Sequence, residues 1–359
     1  MRIAIIGSRG IPARYSGVER AVEEISKRLV LKGHDVTVYC RPGGYYGKEY
    51  LGIKLIYLPA FHSKNFGTFF HVFLATFSVI VRKFDVVHYH ALGPSFFSCL
   101  PRIFGKKVVV TVHCLDWQRK KWSLLARLFL RFCQYPAIFF PHRTIVVSQA
   151  LKEFFEQKFR RTVWCVPNGA GPVTDMDLSG LARDGCGKDQ YVLCVGRLVP
   201  EKGVQYLIKA FNELQTDLRL VLAGESSFTD RYVQFLKRMA GPKVRFLGFV
   251  EGSELGLLYK NAYMVVLPSE LEGAPLVLLE AMSYGKCVLS SDLPECREIL
   301  GGCGVYFKSK DYLDLKEQLQ CLLSARPLVE AYGQKARERV RHSYNWDEVA
   351  DATEKIYLL

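Results

Sequence analysis

The sequence has no pair of cysteines with the C-x-x-C spacing, although it contains 11 cysteines in all. An odd number of cysteines scattered from Cys40 to Cys321 is not typical of a disulfide framework or of a structural zinc site. We therefore expect reduced, partly buried thiols in a cytoplasmic protein. Cys114 follows His113 directly, and a thiol beside an imidazole could act as a nucleophile. A role in packing is the stronger interpretation of this cysteine.

Long apolar runs are also lacking. The apolar N-terminal run is interrupted at Gly7, Ser8 and Arg9, which is not typical of a signal peptide. The longest apolar stretch is residues 66–81, whereas a membrane-spanning helix needs about 20 residues. Because this stretch also contains polar side chains, we predict a buried or interfacial helix.

Acidic residues are scarce in the first half of the chain. Residues 1–166 contain 26 Lys and Arg against 9 Asp and Glu, whereas residues 167–359 contain 23 against 26. With its aromatic-rich apolar helices, this basic half predicts docking on an anionic membrane surface, at roughly 1 kcal/mol per well-placed Lys or Arg. Nucleic acid is the competing explanation, but no nucleic-acid-binding motif is present, so we expect no nucleic acid partner.

The length and composition predict about two globular domains. The chain has 359 residues, of which 49% are hydrophobic, so each half can bury its own core. A predicted strand over residues 2–6, a loop over 7–17 and an amphipathic helix over 18–31 are typical of a doubly wound α/β domain. The loop lacks the G-x-G-x-x-G pattern of dinucleotide-binding domains. Gly17 precedes the helix, where backbone can approach a phosphate closely; an ordinary turn glycine is the alternative.

Two carboxylates lie eight positions apart in the segment 265–289. Glu272 follows a predicted strand and a Pro-Ser turn, and Glu280 lies in an apolar helical run that ends at Gly285. The loop and the first helical turn present backbone N–H groups that suit a phosphate or a sugar hydroxyl. The alternative is that Glu280 belongs to the exposed stripe of an amphipathic helix. Its apolar neighbours instead favour a buried helix, in which a carboxylate needs a partner.

Two cations flank a second loop that enters a helix. Arg197 and Lys202 follow the predicted strand 191–195, so two positive charges and a helix N-terminus converge. This arrangement predicts a diphosphate site. An ordinary exposed charged loop is the alternative.

Three histidines lie on or after predicted strands. His88 and His90 face the same side of strand 85–90, where core or pocket histidines are a better interpretation than a metal pair without a third ligand. His113 ends strand 108–113, and ligands bind just past the carboxyl ends of parallel strands. We therefore expect His113 to reach a ligand.

The segment that follows His113 mixes aromatic, acidic and basic side chains. Tryptophan faces stack on sugar rings and cations suit phosphate groups. A membrane-facing surface is the alternative, because the helix predicted over residues 123–135 carries Arg127 and Arg131 on an otherwise apolar cylinder. The side chains in question are Asp116, Trp117, Arg119, Lys121 and Trp122.

These motifs together resemble a known family. Residues 270–292, ELEGAPLVLLEAMSYGKCVLSSD, resemble the E-x7-E signature of the retaining family 4 glycosyltransferases, and GRLVPEKG at 196–203 resembles their GRLxxxKG motif. SGVE at 16–19 resembles their GGxE opening, and residues 116–122 resemble a bacterial rhamnosyl-type and polysaccharide-assembly subset. Pro275 stands where many members have glycine, which removes one N–H.

The resemblance implies a GT-B fold, with two Rossmann-like doubly wound domains facing a central cleft. Residues 1–168 would bind the acceptor, 169–189 would be a linker, 190–342 would bind the donor, and 343–359 would pack back on the first domain. Asp175-Met176-Asp177 in the linker fits the D-x-D of metal-dependent transferases, but it lacks the context of a strand end. We expect no metal and no cofactor.

The implied activity is retaining transfer of a hexosyl group from a nucleotide-diphosphate sugar to a hydroxyl of a glycan or polyprenyl-linked acceptor in cell-surface polysaccharide synthesis. The protein would act on the inner face of the membrane. A nucleotide-sugar epimerase or a non-catalytic scaffold of the same fold is the alternative.

Each residue singled out has an expected role within this activity. The expected catalytic residues are Glu272, Lys202, Arg197 and His113; the donor-binding residues are Gly17, Arg197, Lys202, Gly248, Phe249, Val250, Gly273, Ala274, Pro275, Leu276 and Glu280; and the acceptor-binding residues are Asp116, Trp117, Arg119, Lys121 and Trp122.

Overall fold

The structure, a computed structural model, consists of two compact units. One comprises Met1–Gly169 with Trp346–Leu359, and the other comprises Ala170–Asn345. Asp175 and Asp177 and most of the predicted linker lie outside the described residues. The residues that the structure describes are 1–14, 16–43, 45–61, 66–171, 173, 187–227 and 229–359.

The first unit is built on an eight-stranded sheet. Its strands lie in the order β3-β4-β2-β1-β5-β6-β7-β8, and all neighbours are parallel except β3 and β4. The strand order therefore reverses between β1 and β5. The strands are β1 Arg2–Ile6, β2 Asp35–Cys40, β3 Glu49–Tyr50, β4 Ile53–Tyr57, β5 Val86–His90, β6 Lys107–Val112, β7 Arg143–Val146 and β8 Trp164–Cys165.

Helices flank this sheet, and the predicted helix over residues 66–81 is confirmed to the residue. The prediction of one helix over residues 123–135 is wrong, because the chain forms two helices there. Pro136 has no N–H with which to continue the first helix, and the break falls at Cys133. The helices are α1 Gly17–Leu31, α2 Phe66–Val81, α3 Leu92–Ser95, α4 Cys99–Ile103, α5 Leu124–Phe132, α6 Gln134–Phe139 and α7 Gln149–Phe159.

The second unit is built on a six-stranded parallel sheet in the order β11-β10-β9-β12-β13-β14. This order reverses between β9 and β12, as in a Rossmann domain, and the prediction of two Rossmann-like doubly wound domains is confirmed. The strands are β9 Tyr191–Val195, β10 Arg219–Ala223, β11 Val244–Gly248, β12 Met264–Leu267, β13 Val288–Ser291 and β14 Val305–Phe307. The helices are α8 Val204–Asn212, α9 Asp230–Met239, α10 Gly252–Asn261, α11 Leu276–Ser283, α12 Pro294–Leu300, α13 Tyr312–Ser324 and α14 Arg326–Ser343.

The central strands of the second unit are continuous apolar runs because helices cover both faces of the sheet. All four residues of β12 are buried, and two separate clusters of buried side chains lie on the two faces of the sheet. This burial fixes the strand ends, from which the polar loops of the unit emerge.

The last helix, α15 (Trp346–Leu358), belongs to the first unit and packs against α1. Its Asp347 carboxylate lies 2.6 Å from the Arg28 guanidinium. Exposed ion pairs of this kind contribute at most about 1 kcal/mol. The burial of Trp346 and Tyr357, each 1% exposed, therefore contributes more to holding α15 on the first unit.

Within the described part of the chain, no helix combines the length and the apolar character that crossing a lipid bilayer requires. The ten cysteines that the structure describes are free thiols.

Candidate active site

The carboxyl ends of β9 and β12 meet at the reversal of strand order in the second unit, and two of the predicted site residues contact each other there. Lys202 Nζ donates a hydrogen bond to Glu272 Oε1 at 2.5 Å. The two side chains are 17% and 9% exposed, respectively. In open parallel sheets, ligands bind outside the carboxyl ends of strands at such a reversal. An ion pair therefore lies where a ligand is expected.

A glycine allows the loops after β9 and β12 to approach so closely. Gly203 has φ +67°, and a Cβ at this position would lie 1.8 Å from the carbonyl oxygen of Pro268. The backbone N–H of Glu270 also donates to the carbonyl oxygen of Glu201 at 2.8 Å. The short 3-10 turn Pro200–Lys202 is thus held against the end of β12, which brings Lys202 to Glu272.

Glu272 receives two hydrogen bonds on one oxygen. Besides Lys202, the hydroxyl of Ser269 donates to Glu272 Oε1 at 2.6 Å. Among the described residues, no hydrogen bond reaches Oε2. That oxygen can therefore accept a hydrogen bond from a ligand hydroxyl while the first oxygen is held in place.

The part of the loop after β9 that carries Arg197 is joined to the loop after β10. The backbone N–H of Leu198 donates to the carbonyl oxygen of Glu225 at 2.8 Å, and the Thr229 hydroxyl donates to the Leu198 carbonyl oxygen at 2.7 Å. These bonds join the loop after β9 to the loop after β10. Arg197 and Lys202 therefore both lie at the carboxyl edge of the sheet, five positions apart on one fixed loop.

Glu280 has a buried partner. The Tyr259 hydroxyl, on a side chain that is 1% exposed, donates to Glu280 Oε2 at 2.8 Å. Burial, followed by the negative charge of Glu280, raises the pKa of Tyr259 well above its ordinary value, so the phenol remains a donor. Glu280 is therefore a partly buried, hydrogen-bonded carboxylate and not part of an exposed stripe. It lies in α11, which begins at Leu276, directly after Gly273, Ala274 and Pro275.

The turn at the end of β11, residues 248–250, is partly buried and is hydrogen-bonded to the residue after β10. The Gly248 carbonyl oxygen accepts a hydrogen bond from Gly224 N–H at 2.7 Å, and Val250 is 8% exposed within the apolar core of the unit. Phe249, between them, is 39% exposed. At this turn, only the backbone groups and the Phe249 ring can reach a ligand.

In the first unit, the loop before α1 is held by buried glutamates. Ser16 caps the helix that begins at Gly17. Glu23 Oε2 accepts the Ala13 N–H at 2.6 Å, and Glu19 Oε2 accepts the Arg14 N–H at 3.2 Å. Glu23 was not singled out from the sequence, and Glu19 was noted only as part of the SGVE motif. The spacing of Ser16 and Glu19 is that of a capping box, which could have indicated at least one of them.

The edge of the first sheet carries a set of imidazoles. Gly7, with φ +114°, allows the chain after β1 to approach the end of β5, since a Cβ there would lie 2.3 Å from the His90 carbonyl oxygen. His90 Nδ1 and His113 Nε2 are 2.9 Å apart, and their rings stack with centroids 5.2 Å apart. His88 stacks on His90 at 4.2 Å, and its two nitrogens bind the hydroxyls of Tyr357 and Thr111.

Burial keeps these imidazoles uncharged. It lowers the pKa of His113 to about 4 and that of His88 to about 3, and it lowers the pKa of His90 well below the ordinary value. Because both nitrogens of His88 are bonded to hydroxyls, this ring is not placed to bind a metal. In the ranges that the structure describes, no three metal-binding side chains form a group.

The contacts also indicate which nitrogen of His113 carries the proton. His90 Nε2 is buried and has no hydrogen-bond partner among the described residues. A buried N–H without a partner is rarer than a buried acceptor without one, so the proton of His90 belongs on Nδ1. His90 then donates to His113 Nε2. This bond leaves His113 as an Nδ1–H donor.

The segment after His113 is held by an internal network. Arg119 Nε lies 3.1 Å from Asp116 Oδ1, and the Cys114 thiol donates to the same oxygen at 3.2 Å. Burial raises the pKa of Cys114 to about 12, so the thiol stays protonated and is not a nucleophile. Asp116 and Arg119 thus pair with each other and order the turn Asp116–Gln118.

The two tryptophans of this segment have unused donors. The indole nitrogens of Trp117 and Trp122 are both buried, and neither has a hydrogen-bond partner among the residues described here. The Lys121 ammonium lies 4.7 Å from the Trp122 ring centre, and the Arg131 guanidinium lies 5.6 Å from the Trp117 ring centre. Buried N–H groups normally find a partner, so each indole has a donor that the described residues leave unused.

Comparison with known proteins gives family matches in both units. The model of the family described as Glycosyltransferase Family 4 matches residues 15–171, and the model described as Glycosyl transferases group 1 matches residues 185–339. An uncharacterised glycosyltransferase of Methanocaldococcus jannaschii is 29% identical over 99% of this chain and 98% of its own.

Two further relatives extend the comparison. The gpi3 subunit of the phosphatidylinositol N-acetylglucosaminyltransferase of Schizosaccharomyces pombe is 24% identical over 95% of this chain and 77% of its own. The crystal structure of HepE from Anabaena in complex with UDP and glucose superposes with a TM-score of 0.83 and 20% identity over the whole of both chains. At this identity, the structural match shows a shared fold.

Proposed function

This chain belongs to the family 4 glycosyltransferases, and we propose that it transfers a hexosyl group from a nucleotide-diphosphate sugar to a hydroxyl of a glycan or lipid-linked acceptor, with retention of configuration. Cell-surface polysaccharide synthesis is the proposed setting. The observation that carries the proposal is the contact between Lys202 and Glu272 at the edge of the second sheet. A cation that can meet a diphosphate and a carboxylate that can meet sugar hydroxyls lie side by side there.

Glycosyl transfer builds negative charge on the departing diphosphate and positive charge at the anomeric carbon. We assign the first charge to Arg197 and Lys202, which lie on one fixed loop beside the N-terminus of α8. These cations can supply the charge compensation that a metal ion supplies in other transferases, so we propose that the enzyme needs no metal. Glu272 binds Lys202 and therefore holds the ammonium in position.

The remaining donor contacts follow from the same segment. We propose that Glu272 Oε2 accepts hydrogen bonds from hydroxyls of the sugar, and that the N–H groups of Gly273, Ala274 and Leu276 donate to oxygens of the same ligand. Glu280, fixed by Tyr259, would accept from the ribose hydroxyls. Pro275 contributes no N–H, and the turn 248–250 would contact the base through its backbone.

The first unit would supply uncharged hydrogen-bond donors. We propose that His113 Nδ1–H donates to the transferred sugar, that the N–H of Gly17 meets the diphosphate, and that Trp117 and Trp122 bind the acceptor. Asp116, Arg119 and Lys121 would orient that segment or meet an acceptor phosphate. Since the Cys114 thiol stays protonated, it forms no covalent intermediate, and front-side attack fits retention. The leaving phosphate would accept the proton of the attacking hydroxyl.

We further propose an anionic membrane surface as a partner, with the protein peripheral on its cytoplasmic face. The basic excess of residues 1–166 supports this, because phosphate-rich headgroups attract clustered Lys and Arg. The relative from Schizosaccharomyces pombe carries phosphatidylinositol, a membrane lipid, in its name.

The test is a screen of purified protein against UDP-, GDP- and dTDP-sugars. Since HepE was crystallised with UDP and glucose, UDP-glucose is the first donor to try. Nucleotide release with a glycosylated product supports transfer. Nucleotide release with an altered sugar and no glycosylated acceptor would indicate an epimerase. No turnover with any donor, together with no thermal shift, would indicate a non-catalytic scaffold.

A further inference from the structure

The outer face of α5 is apolar and uncovered. None of its nine residues is buried, and Leu124, Leu125, Leu128 and Phe132 are 70%, 79%, 54% and 54% exposed. Leu124, Leu128 and Phe132 are spaced four apart, so they form one row along the helix. So short a helix is marginal in water without packing on its apolar side. The helix therefore presents an apolar face that the described residues of the chain leave uncovered.

The apolar row continues into α6. Phe132 and Tyr135 have ring centres 6.2 Å apart, and Tyr135 and Phe139 have ring centres 6.4 Å apart. Tyr135 is 50% exposed and Phe139 is 42% exposed. We define the docking face by its most exposed members: Leu124, Leu125, Leu128, Phe132, Tyr135 and Phe139.

Cations border the docking face. The Arg161 guanidinium lies 5.5 Å from the Phe139 ring centre, and the Lys158 ammonium lies 5.1 Å from the ring centre of Phe159, which packs against Phe139. Residues 50–166 contain 17 Lys and Arg against four acidic residues, Asp85, Asp116, Glu153 and Glu156. Asp116 is paired with Arg119. Positive charges therefore far outnumber negative ones in this region, so an anionic surface would attract it.

An apolar ridge bordered by cations is the pattern of a helix that lies in the membrane interface. Long Lys and Arg side chains can keep their charges among phosphates while their stems cover apolar surface. An acidic protein would meet the same charges, but it would have to provide a complementary apolar groove for a convex row of leucines. A bilayer provides apolar contact to any such ridge.

We propose that the docking face inserts into the boundary between headgroups and acyl chains of an anionic lipid bilayer. Leu124, Leu125 and Leu128 contact acyl chains, and the bordering cations contact lipid phosphates. This inference deepens the proposed membrane partner and locates it on α5 and α6.

The test is co-sedimentation of the full chain with vesicles of phosphatidylcholine containing about 30% phosphatidylglycerol. We expect wild-type protein to bind these vesicles and to bind pure phosphatidylcholine at least about 10-fold more weakly. The variant Leu125→Glu/Leu128→Glu should reduce binding at least about 10-fold, because it places two carboxylates in the interface. The matched control is Leu313→Glu/Leu328→Glu, in which both leucines are exposed on the second unit, and it should bind like wild type.

Activity separates this inference from the proposed function. Release of nucleotide from the donor sugar, without any membrane, should be unchanged in Leu125→Glu/Leu128→Glu. Absence of that turnover in wild type, together with vesicle binding that the double variant loses, would count against the proposed site residues and not against the docking face.

Three results would overturn the inference. They are equal binding of the double variant and wild type to anionic vesicles, no vesicle binding by wild type, and a wild-type dimer that the double variant abolishes in sedimentation. The last result would assign the face to a second copy of the chain. If the double variant is misfolded, quenching of tryptophan fluorescence by brominated lipid in wild type, compared with Trp122→Phe, decides the question, because insertion of α5 brings the neighbouring Trp122 indole near the acyl chains. Absence of quenching would then reject the inference.

Discussion

The two units share a doubly wound parallel sheet but differ in where they place charge. The second unit has an ion pair, Lys202 and Glu272, at the carboxyl edge of its sheet. The first unit has uncharged imidazoles at the equivalent edge, while its cations lie on the outside around α5. A charged edge can stabilise a diphosphate as its charge grows. An uncharged edge can donate hydrogen bonds to hydroxyls and accept hydrogen bonds from them. The cations on the outside of the first unit remain available for a surface such as a membrane.

This difference predicts that substitutions in the second unit act mainly on kcat, and the largest expected effect is that of Lys202→Ala. Loss of one preorganised donor at a developing charge lowers kcat by about 10²-fold or more. Steady-state kinetics with the identified donor measures the effect. The matched control is Lys237→Ala, which removes an exposed lysine of α9 and should leave kcat unchanged. If Lys202→Ala has a kcat close to that of wild type, Lys202 does not stabilise the departing diphosphate.

Acid should destabilise the first unit before the second. Burial lowers the pKa of His71 and His113 to about 4 and that of His88 to about 3, whereas an unfolded chain titrates near 6.5. Between these values the unfolded first unit binds more protons than the folded one. Its free energy of unfolding therefore falls as the pH falls from about 6.5 towards 4.

The second unit contains one histidine, His342, which is exposed. Proteolysis at about pH 5 and about pH 7.5, with cleavage sites mapped by mass spectrometry, should therefore find the first unit opened preferentially at the lower pH. We expect its melting temperature to drop by at least about 5 °C over this range. If the second unit were cleaved first at the lower pH, the expected difference in acid stability between the two units would be wrong.

The hydrogen bond between His90 and His113 offers a test with a smaller effect. His90→Leu removes the donor that fixes His113, and we expect kcat/KM to fall about 10-fold, the usual weight of one hydrogen bond. His90→Asn offers an amide nitrogen near the position of Nδ1 and should restore most of the activity. Nitrogen NMR shifts of His113 should show the Nδ1–H tautomer in wild type and in His90→Asn, but a mixture in His90→Leu. A mixture in wild type would reject the positioning role of His90.

Much of this arrangement was accessible from the sequence, and the parts that were not depend on long-range neighbours. The helix 66–81 and the strands around Glu272 follow from local apolar patterns, and both appear as expected. The pairing of His90 with His113 depends on β5 and β6 being adjacent, which a local pattern does not contain. The same holds for Tyr259 as the partner of Glu280. Strand β3 has two residues, too few to form a pattern.

The smallest effect is expected where the first unit would bind the acceptor. Trp122→Phe retains an aromatic face but removes an indole N–H that has no partner among the described residues. If this N–H donates to the acceptor, the KM for the acceptor rises about 3- to 10-fold, while the KM for the donor and the thermal stability change little. Trp164→Phe, which alters a 38% exposed tryptophan on β8, is the matched control. An unchanged acceptor KM in Trp122→Phe would show that this indole does not bind acceptor, and the proposed role of the first unit would then depend on His113 and Trp117.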